Sequence, residues 1–194
     1  ATAAVYFENP SYLGVIEDQG EDITILAHDT GALSIGGVDP ISLGVLRPPG
    51  AYGADLIVGD LQSLGVHMSA GGGQSGFIAF RDEEIYIAEG PLEINTIMDT
   101  VGEGEYAFAE VRAHRTSYGS RDKGKDWVGT ASGLWTIASA VYLSLMGPAG
   151  MKEIGELIVK NSRYARNLIS SLPGVRIQFS QPHFKEFLVN FSGT

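Results

Sequence analysis

The sequence predicts an α/β chain: a mainly parallel sheet with flanking helices, followed by the start of a small α+β domain. Three observations carry this. Short β-prone apolar runs alternate with helical stretches through the first part of the chain, the spacing of parallel strands joined by right-handed crossovers. From residue 130 onward the pattern becomes continuously helical. Beyond a Pro-Gly stop, two further strand-like runs close the sequence. Composition agrees with a globular protein, since 44% of the 194 residues are hydrophobic and 19% charged, and a single domain of this size can bury about 70% of its unfolded surface.

Taken in order, residues 3–7 (AAVYF) are apolar and β-prone, and Asn9-Pro10 breaks the run. Residues 16–27 carry Ile23, Ile25, Leu26 and Ala27 as a helix or helix-turn would, and Gly31 leads into a second strand at 32–36 (ALSIG). Arg47-Pro48-Pro49-Gly50 forces a turn before a third strand at 56–58. Residues 77–80 (FIAF) add a fourth, and both runs are short and bounded by turn residues, as buried parallel strands are. Between them lies a long polar turn, ending in a glycine cluster. Gly71, Gly72, Gly73 and Gly76 can adopt conformations that a Cβ forbids and leave amides free to face an anion or a partner chain. The alternative is a tight loop with no ligand. No Gly-Lys-Ser/Thr follows Gly76, so this is not a phosphate loop.

Asp82, Glu83 and Glu84 suit the first turn of a helix, where acids complement the dipole. Residues 96–101 and 106–111 flank Gly102-Glu103-Gly104-Glu105, which predicts a β-hairpin. Residues 131–146 are apolar nearly all round and so are expected to be a buried helix, broken by Gly147-Pro148-Ala149-Gly150. An amphipathic helix over 151–172 follows, with Ile154, Leu157, Ile158, Ala165, Leu168 and Ile169 on its inner stripe. Pro173-Gly174 ends it, and strands are expected at 175–179 and 186–191. The pattern groups the chain as residues 1–130, the helices of 131–172, and 173–194.

Several classes are excluded by composition. A net charge of -10 opposes a nucleic-acid surface, which needs clustered cations. Zero cysteines removes disulfides, thiolate metal sites and a Cys nucleophile. His28, placed at the end of the first helix, can interact with its terminal carbonyls; His114 and His183 have no partner at metal-ligand spacing, and His67 sits in the glycine loop. No apolar run approaches the ~20 residues of a membrane span, and the start lacks the basic region of a signal peptide, so the cytosol is the expected compartment. The chain has no initiating Met and opens on a strand-like run, so it is expected to be a fragment.

Specific stretches carry a family resemblance. The run 53–60 (GADLIVGD), then Gln62-Ser63-Leu64-Gly65, Ser69-Ala70-Gly71-Gly72 and Gly76-Phe77, resembles the alpha subunit (subunit 1) of the two-subunit glycine decarboxylase, the P protein of the glycine cleavage system. Val38-Asp39-Pro40, Ser42-Leu43-Gly44, Pro48-Pro49-Gly50, the run 141–148 (VYLSLMGP) and Leu172-Pro173-Gly174-Val175-Arg176 agree, collinearly over nearly the whole chain. The resemblance implies the type I pyridoxal-phosphate transferase fold, like that of aspartate aminotransferase.

Catalytic members of that superfamily need a lysine that bonds the cofactor and an acid that keeps the pyridine nitrogen protonated. The resemblance places Leu64 where the lysine would be and Gly37 where the acid would be. Asp39 lies roughly 6–7 Å further along an extended strand and is no replacement. Lys123, Lys125, Lys152, Lys160 and Lys185 all lie far from the loop in sequence. The resemblance thus implies an alpha subunit that is inactive alone. Its beta partner would hold pyridoxal phosphate in an alpha2beta2 assembly, and a lipoylated H protein would receive the aminomethyl group. Residues lent across the interface would be Thr130, Arg121 and Lys123, in register with a basic motif that also includes Arg115 and Asp122, with Gly71, Gly72 and Gly73 contributing loop amides. Thr130 can equally serve as a helix N-cap. Two alternatives stay open: an active pyridoxal-phosphate lyase or transferase using a lysine elsewhere, and a non-catalytic binding module of the same fold.

Overall fold

The computed structural model describes residues 2–68, 74–91, 94–126 and 132–191. In chain order the first elements are β1 (Ala4–Glu8), α1 (Gly20–Asp29), β2 (Leu33–Val38), β3 (Leu56–Asp60), β4 (Gly76–Phe80) and α2 (Glu84–Glu89). They are followed by β5 (Ile94–Asp99), β6 (Tyr106–Val111), α3 (Ser117–Ser120), α4 (Gly133–Ser170), β7 (Val175–Ile177) and β8 (Val189–Phe191), with short 3-10 turns between. The chain divides into two compact units, residues 1–80 with 131–194, and residues 81–130.

In the first unit the sheet has the order β1-β2-β3-β4. The first three strands are parallel, with Tyr6 opposite Ile35 and Gly36 opposite Ile57. The fourth corrects the expectation for residues 77–80: β4 runs antiparallel to β3, with Val58 opposite Ile78. The intervening residues make a turn and no crossover helix among those described, so the chain returns in the opposite direction.

Helix α1 starts at Gly20, four residues later than the apolar pattern suggests. Asn9 is the physical reason, because its side chain donates to Glu17 O at 3.0 Å and accepts from Glu17 N at 3.1 Å, holding that stretch in a non-helical path. Thr24 and Ala27 form the buried face of α1, and the Thr24 and Ser34 hydroxyls bond at 2.8 Å. His28 differs from expectation. The carbonyls of Ala27 and His28 accept backbone N–H groups of Thr30, Gly31 and Ala32, whereas the His28 ring meets Asp55 at 2.8 Å. The Ser34 amide donates to the same Asp55 oxygen at 2.8 Å, so a carboxylate only 4% exposed ties α1, β2 and the start of β3 together.

The core gathers Ile41, Leu61, Leu64 and Phe184, with Val45, Tyr142, Ile154 and Ile158 packed against them. Sequence-distant segments therefore close on one another. Helix α4 is broken at Gly147, whose φ of 59° and ψ of -178° lie outside helical space and favour glycine. The expected break is there, but burial is not: Leu134, Ile137, Val141 and Leu145 are exposed, Leu145 to 82%. They recur at three- and four-residue spacing on one side of the helix. By length and composition α4 also passes as a membrane span, contrary to the sequence expectation. The break, however, leaves a first segment of about 21 Å, short of the ~30 Å hydrocarbon core. β7 and β8 pair antiparallel, with Arg176 opposite Asn190, somewhat shorter than the runs expected there.

The second unit contains the expected hairpin, β5 against β6 with Ile97 opposite Phe108, and α2 begins at Glu84 after Glu83. Arg115 is buried here, donating from Nε to Ala88 O at 3.0 Å and from a terminal nitrogen to Gly90 O. Arg112 grips Glu84 through two bonds of 2.5 Å, and Lys125 meets Glu89 at 2.7 Å.

Candidate functional site

Parallel strands end together, and their carboxyl ends open onto a cleft of about 1120 Å³, the place where open α/β sheets bind ligands. Glu8, Gly37, Asp39 and Asp60 line it from the ends of β1, β2 and β3. Ser75 and Gly76 line it from the start of β4, and Lys185 to Leu188 from the segment before β8.

Polar groups in the cleft are tied down by one another. The Tyr6 hydroxyl donates to Glu8 Oε1 at 3.0 Å, and Glu8 Oε2 accepts the Tyr12 amide at 2.8 Å. Burial, followed by the bond and charge of Glu8, raises the Tyr6 phenol above its ordinary value. Asp39 stands just past β2, where its Oδ1 accepts the Ile41 amide at 3.1 Å and the Ser63 hydroxyl at 3.0 Å. Its other oxygen accepts from Lys185 Nζ. The Lys185 backbone is itself held, because its carbonyl accepts the Ser162 hydroxyl at 3.0 Å. Burial alone would lower the Lys185 ammonium. The Asp39 bond and the Glu186 carboxylate 3.6 Å away outweigh it and hold Lys185 above the ordinary lysine value.

With a cleft of this kind at the strand ends of its α/β sheet, the chain shares the fold of the type I pyridoxal-phosphate class with solved structures. The chain belongs to the glycine cleavage system P-protein family, whose family model matches residues 1–193. It is 40% identical over 189 residues to a Desulforamulus reducens protein named "Probable glycine dehydrogenase (decarboxylating) subunit 1", covering 97% of this chain and 41% of that relative. Among solved structures, glycine decarboxylase (P-protein) of the glycine cleavage system in an inhibitor-bound form superposes with a TM-score of 0.89 at 37% identity, over 97% of this chain and 42% of the other. The Burkholderia pseudomallei sphingosine-1-phosphate lyase shares the fold alone, with a TM-score of 0.58 at 15% identity over 98% of this chain and 40% of the lyase. The chain thus spans about two fifths of the length of these relatives.

The residues present do not fit a covalently held pyridoxal phosphate. Leu64, at the position the resemblance gives to the lysine, is 2% exposed and packed in the core. Gly37, at the position given to the acid, faces Tyr6 so closely that a Cβ there would collide with the phenol oxygen. Lys185 is the one lysine lining the cleft among the described residues, and it is engaged by Asp39. Nothing local in the sequence signals this pair, since its members stand 146 positions apart.

Of the residues singled out from sequence, Thr130, Gly71, Gly72 and Gly73 lie outside the described residues. Arg121 and Lys123 form a short 3-10 turn in the second unit, where Arg121 takes a φ of 54°, a conformation uncommon for a residue with a Cβ. Both side chains are exposed. Arg115, by contrast, holds the backbone after α2, so its charge is used within its own unit. His67 is exposed and outside the cleft lining.

Proposed function

We propose that this chain acts as the non-cofactor-bearing alpha subunit of glycine dehydrogenase (decarboxylating). It supports glycine decarboxylation and aminomethyl transfer to the lipoyl group of the H protein without performing the chemistry itself. Pyridoxal phosphate is then held by the beta partner, in an alpha2beta2 assembly in the cytosol. The observation that carries this reading is the cleft, whose lining includes Gly37, at the position given to the acid, and whose one lysine among the described residues, Lys185, is engaged by Asp39, while Leu64, at the position given to the lysine, is packed in the core. The names of the relatives support it, since a subunit 1 implies a second subunit. On this reading Arg121, Lys123 and Thr130 supply charge and a hydroxyl toward the partner's site, and the loop glycines at 71–73 supply amides.

Lys185 gives one specific reason to keep a second reading, an active enzyme with a displaced lysine, because it is an amine inside the cleft. Its ion pair argues against that role: the ammonium has no lone pair, and Asp39 stabilises the ammonium. An absorbance titration with pyridoxal phosphate, then borohydride reduction and mass spectrometry, tests both readings on the full chain alone and with its beta partner. Covalent cofactor on the beta chain only is the expected result. Selective modification of Lys185 in this chain would overturn the proposal in favour of the second reading.

A further inference from the structure

A second groove lies away from the cleft, between the 3-10 turn ending at Gly44 and the second half of α4, with a volume of about 720 Å³. Its charge is opposite to that of the molecule. The chain carries 23 acidic and 13 basic residues, yet Lys152, Lys160 and Arg163 all line this groove, with Glu156 its one acid. Lys152 and Glu156 stand 3.8 Å apart, an exposed pair one helical turn from each other. Among the described residues, Lys160 and Arg163 enter no ion pair. The field of Arg163 is felt nearby, where it adds to burial and to the charge of Arg166 in depressing the protonation of His183. Val45, Val159 and the ring of Tyr164 complete the lining with apolar surface.

Length decides what class of anion matches. Lys152 and Arg163 are eleven residues apart on one helix, roughly 16 Å along its axis. A compact ion bridging Lys160 and Arg163 would leave Lys152 and the apolar wall unused. An extended polypeptide, rising about 3.3 Å per residue, reaches all three cations with the side chains of every second residue over about five residues, while its backbone and side-chain stems lie against Val159 and Tyr164. We propose that this groove docks an acidic segment of a partner polypeptide in which carboxylates recur at every second residue. The whole chain carries a net charge of -10, so its other surfaces repel such a segment, and charge selects the groove as well as strengthening binding there. The inference does not depend on the cofactor reading above.

The test is a fluorescence-anisotropy titration of the full chain against a labelled peptide alternating glutamate and leucine, with an alternating serine and leucine peptide as control. The expected result is preferential binding of the acidic peptide, weakened about tenfold or more by the paired substitutions Lys160→Glu and Arg163→Glu. The milder pair Lys160→Gln and Arg163→Gln should weaken it less, Tyr164→Ala should weaken it, and Arg176→Glu, outside the groove, should leave it unchanged. Circular dichroism of each variant confirms that the fold is kept. Equal affinity for the two peptides, equal weakening by Arg176→Glu, or displacement of the peptide by inorganic phosphate at equal negative charge would each overturn the proposal.

Discussion

At His183 a single side chain shows how burial and charge act together. Its Nδ1 lies 3.4 Å from an Arg166 nitrogen, and its Nε2 is buried without a hydrogen-bond partner among the described residues. Burial first, and the Arg166 guanidinium next, lower its protonation constant below the ordinary histidine value. The folded state therefore binds a proton less readily than the unfolded chain does. The sign follows: the contribution to stability is fully present above the ordinary histidine value and is lost as pH falls toward the depressed folded value. Thermal unfolding followed between neutral and mildly acidic pH should show a falling melting temperature, and His183→Gln should flatten that slope. Asp39 illustrates a different limit. The sequence shows it two positions past Gly37, but its engagement with Lys185 is created only when the segment before β8 folds back over the sheet. No periodicity records such a pairing.

Elements were legible where their cause is local. The hairpin of β5 and β6 follows from its glycine turn, and the break in α4 follows from Gly147-Pro148. Where the cause is distant, the sequence misleads. The start of α1 is set by Asn9, which takes up the backbone of Glu17. The direction of β4 is not written in its apolar run, which is equally compatible with either orientation. Gly147 offers the clearest test at this scale. With φ 59° and ψ -178°, it occupies a region that costs a residue with a Cβ about 1–3 kcal/mol. Gly147→Ala should destabilise the protein by that order in denaturant unfolding, and an equal or greater stability would mean that the two helical segments can merge without strain.

Across the whole molecule, the family resemblance puts Leu64 and Gly37 where a lysine and an acid would stand; Leu64 proves to be a core residue and Gly37 lines the cleft. What replaces them was not legible, because a cleft is assembled from strand ends scattered through the chain. Burial of residues 131–146 was also misjudged. An all-round apolar pattern states that a helix needs cover, not that this chain provides it. Leu134, Ile137, Val141 and Leu145 consequently face outward. The chain on its own should self-associate through this side, and paired substitutions Val141→Glu and Leu145→Glu should shift sedimentation velocity profiles toward the monomer. Unchanged profiles would place the association elsewhere.

The reversal of β4 has a further consequence, for how this architecture tolerates change in length. Because β4 runs against β3, its first residues, and not its last, border the mouth of the cleft. Additions just before Gly76 would reshape that mouth, whereas additions just after Phe80 would emerge at the opposite rim, roughly 13 Å away along the strand. The two ends of one short strand are thus separate channels for variation, one open to the ligand side and one silent toward it.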